Sequence, residues 1–169
     1  GLSATPTRKD GLTKLVHHFV GEFSAQIDES TSASARLCRI VRYRYLSVNP
    51  IKTDLTQGQV QKLKGRLIDD VKRNNIILSI VSQLVEQDRK LIVLSDRVAH
   101  LTNLQRQAAS QLPQKQISLY IGATKAKDRD KASSADVIFA TFSLASEGLD
   151  IAQLDTLVLA TPFSDVQQA

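Results

Sequence analysis

Three short strings hold side chains whose types and spacing could do chemistry. In Val137-Ile-Phe-Ala-Thr141-Phe-Ser-Leu-Ala-Ser146-Glu147-Gly148-Leu149-Asp150-Ile151, a brief apolar block ends in a hydroxyl that can meet a phosphate oxygen. Gly148 then allows a backbone geometry or a close approach that a side chain would block. Glu147 and Asp150 set carboxylates on either side of it. An Asp-containing turn before a strand would explain Gly148 and Asp150 singly, but not the whole string. The second string, Lys90-Leu-Ile-Val-Leu-Ser95-Asp96-Arg97-Val98-Ala99-His100-Leu101, offers a hydroxyl and a guanidinium where a strand runs into a helix. A phosphate could be met there by both groups and by the positive end of the helix, although plain helix capping by Ser95 or Asp96 is the competing reading. The third string is Tyr120-Ile121-Gly122 with Lys125, Lys127 and Arg129, a glycine followed by cations that could equally be a solvated face.

Each string offers a hydroxyl or a cation that a phosphate could meet. The sequence has no Gly-x-x-x-x-Gly-Lys-Ser/Thr phosphate cradle, no strand ending in paired Asp-Glu carboxylates, and no Ser/His/Asp set that spacing alone singles out. It therefore predicts no autonomous ATP hydrolysis.

The bulk properties agree. The chain of 169 residues fits one globular domain, and 42% hydrophobic with 23% charged residues is an ordinary globular balance. Twenty-two basic against seventeen acidic residues give a net charge of +5, which favours contact with a polyanion. Cys38 is the one cysteine, so there is neither a disulfide framework nor a cysteine metal site, and a reducing, intracellular setting fits. His17, His18 and His100 read as surface imidazoles rather than metal ligands. No apolar run is long enough for a membrane helix, and the start lacks a signal-peptide pattern. The absence of methionine suggests a chain that begins inside a larger gene product.

The elements that must position these strings follow from periodicity. Leu12, Leu15, Val16 and Phe19 predict a short helix, and Ser24 to Ala35 a loop or linker. Leu37 to Leu46, with Val41, Tyr43 and Tyr45 alternating with Arg42 and Arg44, predicts a half-exposed strand. Residues 57–87 predict a helix, with candidate breaks near Gly65 or near Asn74 and Asn75. The apolar blocks at 91–94, 117–121, 137–141 and 156–160 predict strands, with helices at 98–111 and 127–133 between them. Such alternation calls for a doubly wound, mainly parallel α/β sheet, where ligands sit beyond the carboxyl ends of the strands. The loops starting at Ser95, Gly122, Thr141 and Thr161 are thereby singled out.

Gly1-Leu2-Ser3-Ala4-Thr5-Pro6, followed by Arg8, Asp10 and Gly11, resembles motif III of superfamily 2 helicases, in the branch of the XPB-type helicases and those of phages and large DNA viruses. The string from Lys90 resembles motif IV, that from Val137 resembles motif V, and Leu157 to Ala169 resembles the approach to motif VI, with Gln168 in register with its first glutamine. The resemblance implies a RecA-like α/β fold with helices on both faces. It divides the chain into residues 1–35, the end of a first RecA-like domain and a linker, and residues 36–169, the second domain, stopping within motif VI.

Its implied roles are coupling by Ser3, Ala4 and Thr5, ATP contact by Glu147, Gly148, Asp150 and Gln168, and nucleic-acid contact by Ser95, Arg97, Gly122 and Thr141. ATP and Mg2+ would serve the full-length protein, an ATP-dependent helicase, with neither bound by this piece alone and no metal held by it. The implied partners are nucleic acid, DNA ahead of RNA, and the first RecA-like domain of the same polypeptide, with no membrane. Two alternatives stay open: a duplex translocase subunit of a repair or restriction complex, and a non-catalytic RecA-like binding module.

Overall fold

The computed structural model describes residues 11–21, 37–43, 56–122, 132, 134–146, 151 and 153–162. Ser3, Ala4, Thr5, Glu147, Gly148, Asp150 and Gln168 lie outside the described residues, as does nearly all of the helix expected at 127–133. The chain falls into two compact units, residues 1–42 and residues 43–169.

In the first unit the helix α1, Thr13–Val20, forms where the apolar spacing places it. It ends at Gly21, whose φ of 95° is one that side chains rarely tolerate and whose N–H donates to the His17 carbonyl. The alternation from Leu37 does not produce a strand: residues 37–43 have no regular secondary structure, and Leu37 and Ile40 are exposed. Alternation defines only a potential face, and a strand also needs a neighbouring strand to satisfy its backbone.

In the second unit, helices α2, Gln57–Ile68, and α3, Val71–Glu86, replace the expected 57–87 helix. The division falls at neither Gly65 nor the Asn pair. It falls at Asp69 and Asp70, because Asp70 takes extended geometry and its carboxylate accepts the Arg73 N–H, the hydrogen bond that starts a new helix. Strand β1, Leu91–Ser95, leads into α4, Val98–Gln111, and then into β2, Ile117–Tyr120. Strand β3, Val137–Thr141, runs into a five-residue helix α5, Phe142–Ser146, and β4 is Thr156–Leu159.

The four strands make one parallel sheet in the order β2-β3-β1-β4. Every residue of β1 is buried, as its uninterrupted apolar run requires for a strand covered on both faces. On one face Leu91, Val93, Val137 and Phe139 pack with Leu78, Val81 and Val85 of α3 and Leu101, Leu104 and Ala108 of α4. On the other, Ile92, Leu94, Ile138 and Ala140 pack with Phe142 of α5, backed by Ile151 and Leu154. Each large apolar side chain so buried contributes about 1.5–3 kcal/mol. The structure is thus the expected parallel α/β sheet with helices on both faces.

The amino edge fixes the register. Leu91 N–H donates to the Asp136 carbonyl and Asp136 N–H to that of Gln116, while Lys90 Nζ lies 3.0 Å from Asp136 Oδ1. Burial works to raise the Asp136 pKa, but the Gln116 N–H and Lys90 outweigh it and hold the carboxyl below its ordinary value. Among the described residues no helix is long and apolar enough to cross a membrane.

Candidate functional site

The carboxyl edge of the sheet brings together residues from distant parts of the sequence. Ser95 and Thr141 are register partners at the ends of β1 and β3, so their backbones lie about 4.8 Å apart. On the other side of β1, Ala160 N–H donates to the Leu94 carbonyl at 2.8 Å, which brings Thr161 to the same edge. Thr161 Oγ1 accepts the Asp96 N–H at 3.1 Å. Three of the four loops singled out by topology therefore meet side by side.

Ser95, which the motif resemblance names as a nucleic-acid contact, is fully buried. Its Oγ lies 3.0 Å from His100 Nδ1 and accepts the Arg97 N–H at 3.3 Å. His100 Nε2 lies 2.9 Å from Asn74 Oδ1, and Asn74 Nδ2 donates to the Ile68 carbonyl at 2.7 Å. Because a carbonyl can only accept, the Asn74 amide must point its nitrogen at Ile68 and its oxygen at His100. The imidazole therefore donates from Nε2 and accepts at Nδ1, and the Ser95 hydroxyl is the donor to it. This Ser-His-Asn chain has no accessible nucleophile. It ties the backbone at Arg97 to α3 and α4.

His100 is also not the surface imidazole that its sequence position suggested. It is 2% exposed and shares the inward face of α4 with Leu101, Leu104 and Ala108. Burial first, and the Arg73 charge second, lower its pKa to about 4, against weaker opposition from Asp96 and Asp69.

Arg97 is exposed and takes the N-cap position of α4, with φ −124° and ψ 119°, but its side chain does not cap the helix. Neither Ser95 nor Asp96 fills that role: the Ser95 hydroxyl bonds the Arg97 N–H, and Asp96 Oδ2 pairs with Lys64 Nζ at 3.0 Å. Arg97 Nη2 instead donates to Gln61 Oε1 of α2 at 2.9 Å. A neutral amide is a weak partner for a guanidinium, and an anionic oxygen makes a bond roughly twice as strong. Thr141 is partly exposed at the end of β3, its Oγ1 3.3 Å from Ser143 Oγ. Gly122 is exposed, follows β2 without a positive φ, and has open space where a Cβ would stand. Neither conformation nor crowding demands glycine there.

None of the motif strings falls within α2 or α3, yet these helices supply Gln61, Lys64, Arg73 and Asn74 to this edge. One signal was present for Asn74: it falls on the apolar stripe of Ile77, Leu78, Val81 and Val85, where a polar residue needs a buried partner. Arg73 Nη2 donates to the Ala160 carbonyl, and burial lowers the pKa of its guanidinium despite nearby Asp70.

The donor set of the edge, cations and hydroxyls beside an uncapped helix start, fits phosphate groups. Among the described residues no three His, Cys, Asp or Glu side chains gather as a metal ion would need.

No family model matches the chain. Across its whole length it is 25% identical to a protein of Acanthamoeba polyphaga mimivirus that carries the provisional name ATP-dependent RNA helicase. The chain spans about a third of that relative, 34% of its length. Among solved structures, that of T4 UvsW is similar over 64% of this chain and 22% of its own, with a TM-score of 0.49 and 19% identity. The C-terminal part of the Fun30 ATPase domain is similar over 61% of this chain and 36% of its own, with a TM-score of 0.45 and 12% identity.

Proposed function

We propose that this chain, a C-terminal RecA-like domain of the superfamily 2 helicase kind, serves a longer ATP-dependent motor as the half that grips the polynucleotide backbone. The observation that carries the reading is that Ser95 and Thr141 are register partners at the carboxyl ends of adjacent parallel strands, so that the loop carrying Arg97 leaves the sheet beside Thr141. Arg97 would exchange Gln61 for a phosphate oxygen, and Thr141 would donate its hydroxyl to a second one. Ser95, inside, keeps the Arg97 backbone in place. Gly122 leaves room at the end of β2 for the strand to pass.

In this reading Glu147, Gly148, Asp150 and Gln168 contact the nucleotide, and Ser3, Ala4 and Thr5 couple it to a first RecA-like domain, as the motif resemblance implies. ATP, with Mg2+, supplies the free energy for cleft closure when bound between the two domains. This chain's own part is to hold successive phosphates and to let go as the loops at its edge shift. Contacts confined to the backbone carry no base information, so binding is sequence-tolerant and salt-sensitive.

The relative's name specifies RNA, whereas the motif resemblance implies DNA ahead of RNA; hydroxyls and a guanidinium directed at phosphates serve either polymer. The test is equilibrium binding of fluorescein-labelled 20-nucleotide oligouridylate and oligothymidylate against rising salt. We expect the logarithm of affinity to fall linearly with that of salt, by about 0.7 for each phosphate engaged. Binding that ignores salt would refute the reading. The isolated chain is expected to turn over no ATP above background.

A further inference from the structure

We propose that His100 and Asn74 are positioning residues for Arg97, holding the loop Ser95–Arg97 to helix α2 through a one-way hydrogen-bond relay. The proposal rests on the reading of Arg97 as a phosphate contact and adds residues that no motif identifies. The relay runs from the Ile68 carbonyl, the last residue of α2, to Asn74, His100 and Ser95, and ends on the Arg97 N–H. The Arg97 side chain then returns to α2 at Gln61. The circuit is closed: α2 is tied to the Arg97 backbone through Asn74 of α3 and His100 of α4, and to its guanidinium directly at Gln61.

Every link has one permitted polarity, because the Ile68 carbonyl only accepts and the Arg97 N–H only donates. A leucine at position 100 could fill the same space but would leave Asn74 Oδ1 without its donor and the Ser95 hydroxyl proton without its acceptor. The loop would then be free to turn the Arg97 N–H elsewhere. The relay also lies beside a second tie on the same loop, the Asp96 N–H to Thr161 Oγ1. Consecutive backbone N–H groups at 96 and 97 are thus both bound by side-chain hydroxyls, which fixes the direction in which α4 begins.

If the role is positioning, the effect of losing His100 must pass through Arg97, and a merely structural role would not obey that condition. The test is a double-mutant cycle on the whole chain, read as binding of the labelled 20-nucleotide oligouridylate, with thermal melting as a check on folding. We expect Arg97→Ala to weaken binding about tenfold, the value of one charge-assisted hydrogen bond. His100→Leu should weaken it about fivefold alone and not further in the Arg97→Ala background, the non-additivity of coupled residues. His100→Gln, which can both donate and accept, should recover part of the loss.

Equal weakening by His100→Leu in both backgrounds, or none in either, overturns the relay while leaving the phosphate reading intact. An Arg97→Ala chain that binds like the parent overturns the phosphate reading and the relay with it. Should His100→Leu fail to fold, nitrogen-15 NMR of the unaltered chain decides: a proton on Nε2 supports the relay, and a proton on Nδ1 refutes it.

Discussion

Arg73, in the first turn of α3, donates its Nη2 proton to the carbonyl of Ala160, 87 residues further along the chain at the end of β4. The contact fastens the last strand of the described sheet to a helix from its beginning, at the edge where Thr161 also receives the Asp96 N–H. Local sequence preference contributes nothing to such a tie.

Removing it should cost stability. Arg73→Ala is expected to lower the free energy of unfolding by about 2 kcal/mol, since a hydrogen bond from a charged donor is lost and a partly buried carbonyl is left open. Urea denaturation would register the change, and a shift below a few tenths of a kcal/mol would show that the tie is dispensable.

Stability should also depend on pH through His100. The folded chain keeps this side chain neutral down to about 4, whereas an unfolded histidine takes up its proton near 6.5. Between those values the unfolded state binds more protons, so the contribution is complete above about 6.5 and is lost as the pH falls toward 4. The loss should approach roughly 2 kcal/mol. Urea midpoints measured across that interval should fall in the parent and lose this component in His100→Gln.

Helix α3 depends on its own first turn. Asp70→Ala removes the acceptor of the Arg73 N–H and of the Tyr43 hydroxyl, which lies 2.6 Å from Asp70 Oδ2. The loss is expected to lower the melting temperature, as removal of an N-cap does. The Tyr43 hydroxyl, first among its partners, holds the Asp70 carboxyl below its ordinary pKa. The cap therefore acts while the carboxylate is charged and fades as the pH falls through that lowered value. An unchanged melting temperature for Asp70→Ala at neutral pH would contradict this account.

The phosphate edge separates stability from binding. Thr141→Ala should weaken oligonucleotide binding about fivefold, a neutral hydrogen bond's worth, with little change in melting temperature. Gly122→Ala should leave stability unaltered, because its backbone avoids positive φ and nothing lies within 4 Å of the added Cβ. A large drop in stability from Gly122→Ala would mean that the turn after β2 is strained.

The core makes a complementary prediction. Phe139 is fully buried at the centre of β3, and Phe139→Ala should destabilise by about 3–5 kcal/mol through lost burial and the cavity left behind. Chemical denaturation would measure it.

The sequence by itself determined the four strands, the helices α1 and α4, and the class of sheet, because burial on two faces writes an apolar block and burial on one writes a stripe of period 3.6. It also determined which strand ends would carry ligand-binding loops, since a parallel sheet sends its chain out at the same edge each time. It misjudged 37–43, where alternation lacked a neighbouring strand, and the break between α2 and α3, where an aspartate cap outweighed glycine and asparagine. Only the tertiary structure decided that Ser95 faces inward, that His100 is buried against Asn74, that Lys64 reaches Asp96 in the loop that precedes α4, and that Arg73 reaches the Ala160 carbonyl. The physical reason is that a buried polar side chain is specified by its partner, and the partners that join Asn74 to His100, Lys64 to Asp96 and Arg73 to Ala160 lie on other elements, from 26 to 87 residues away.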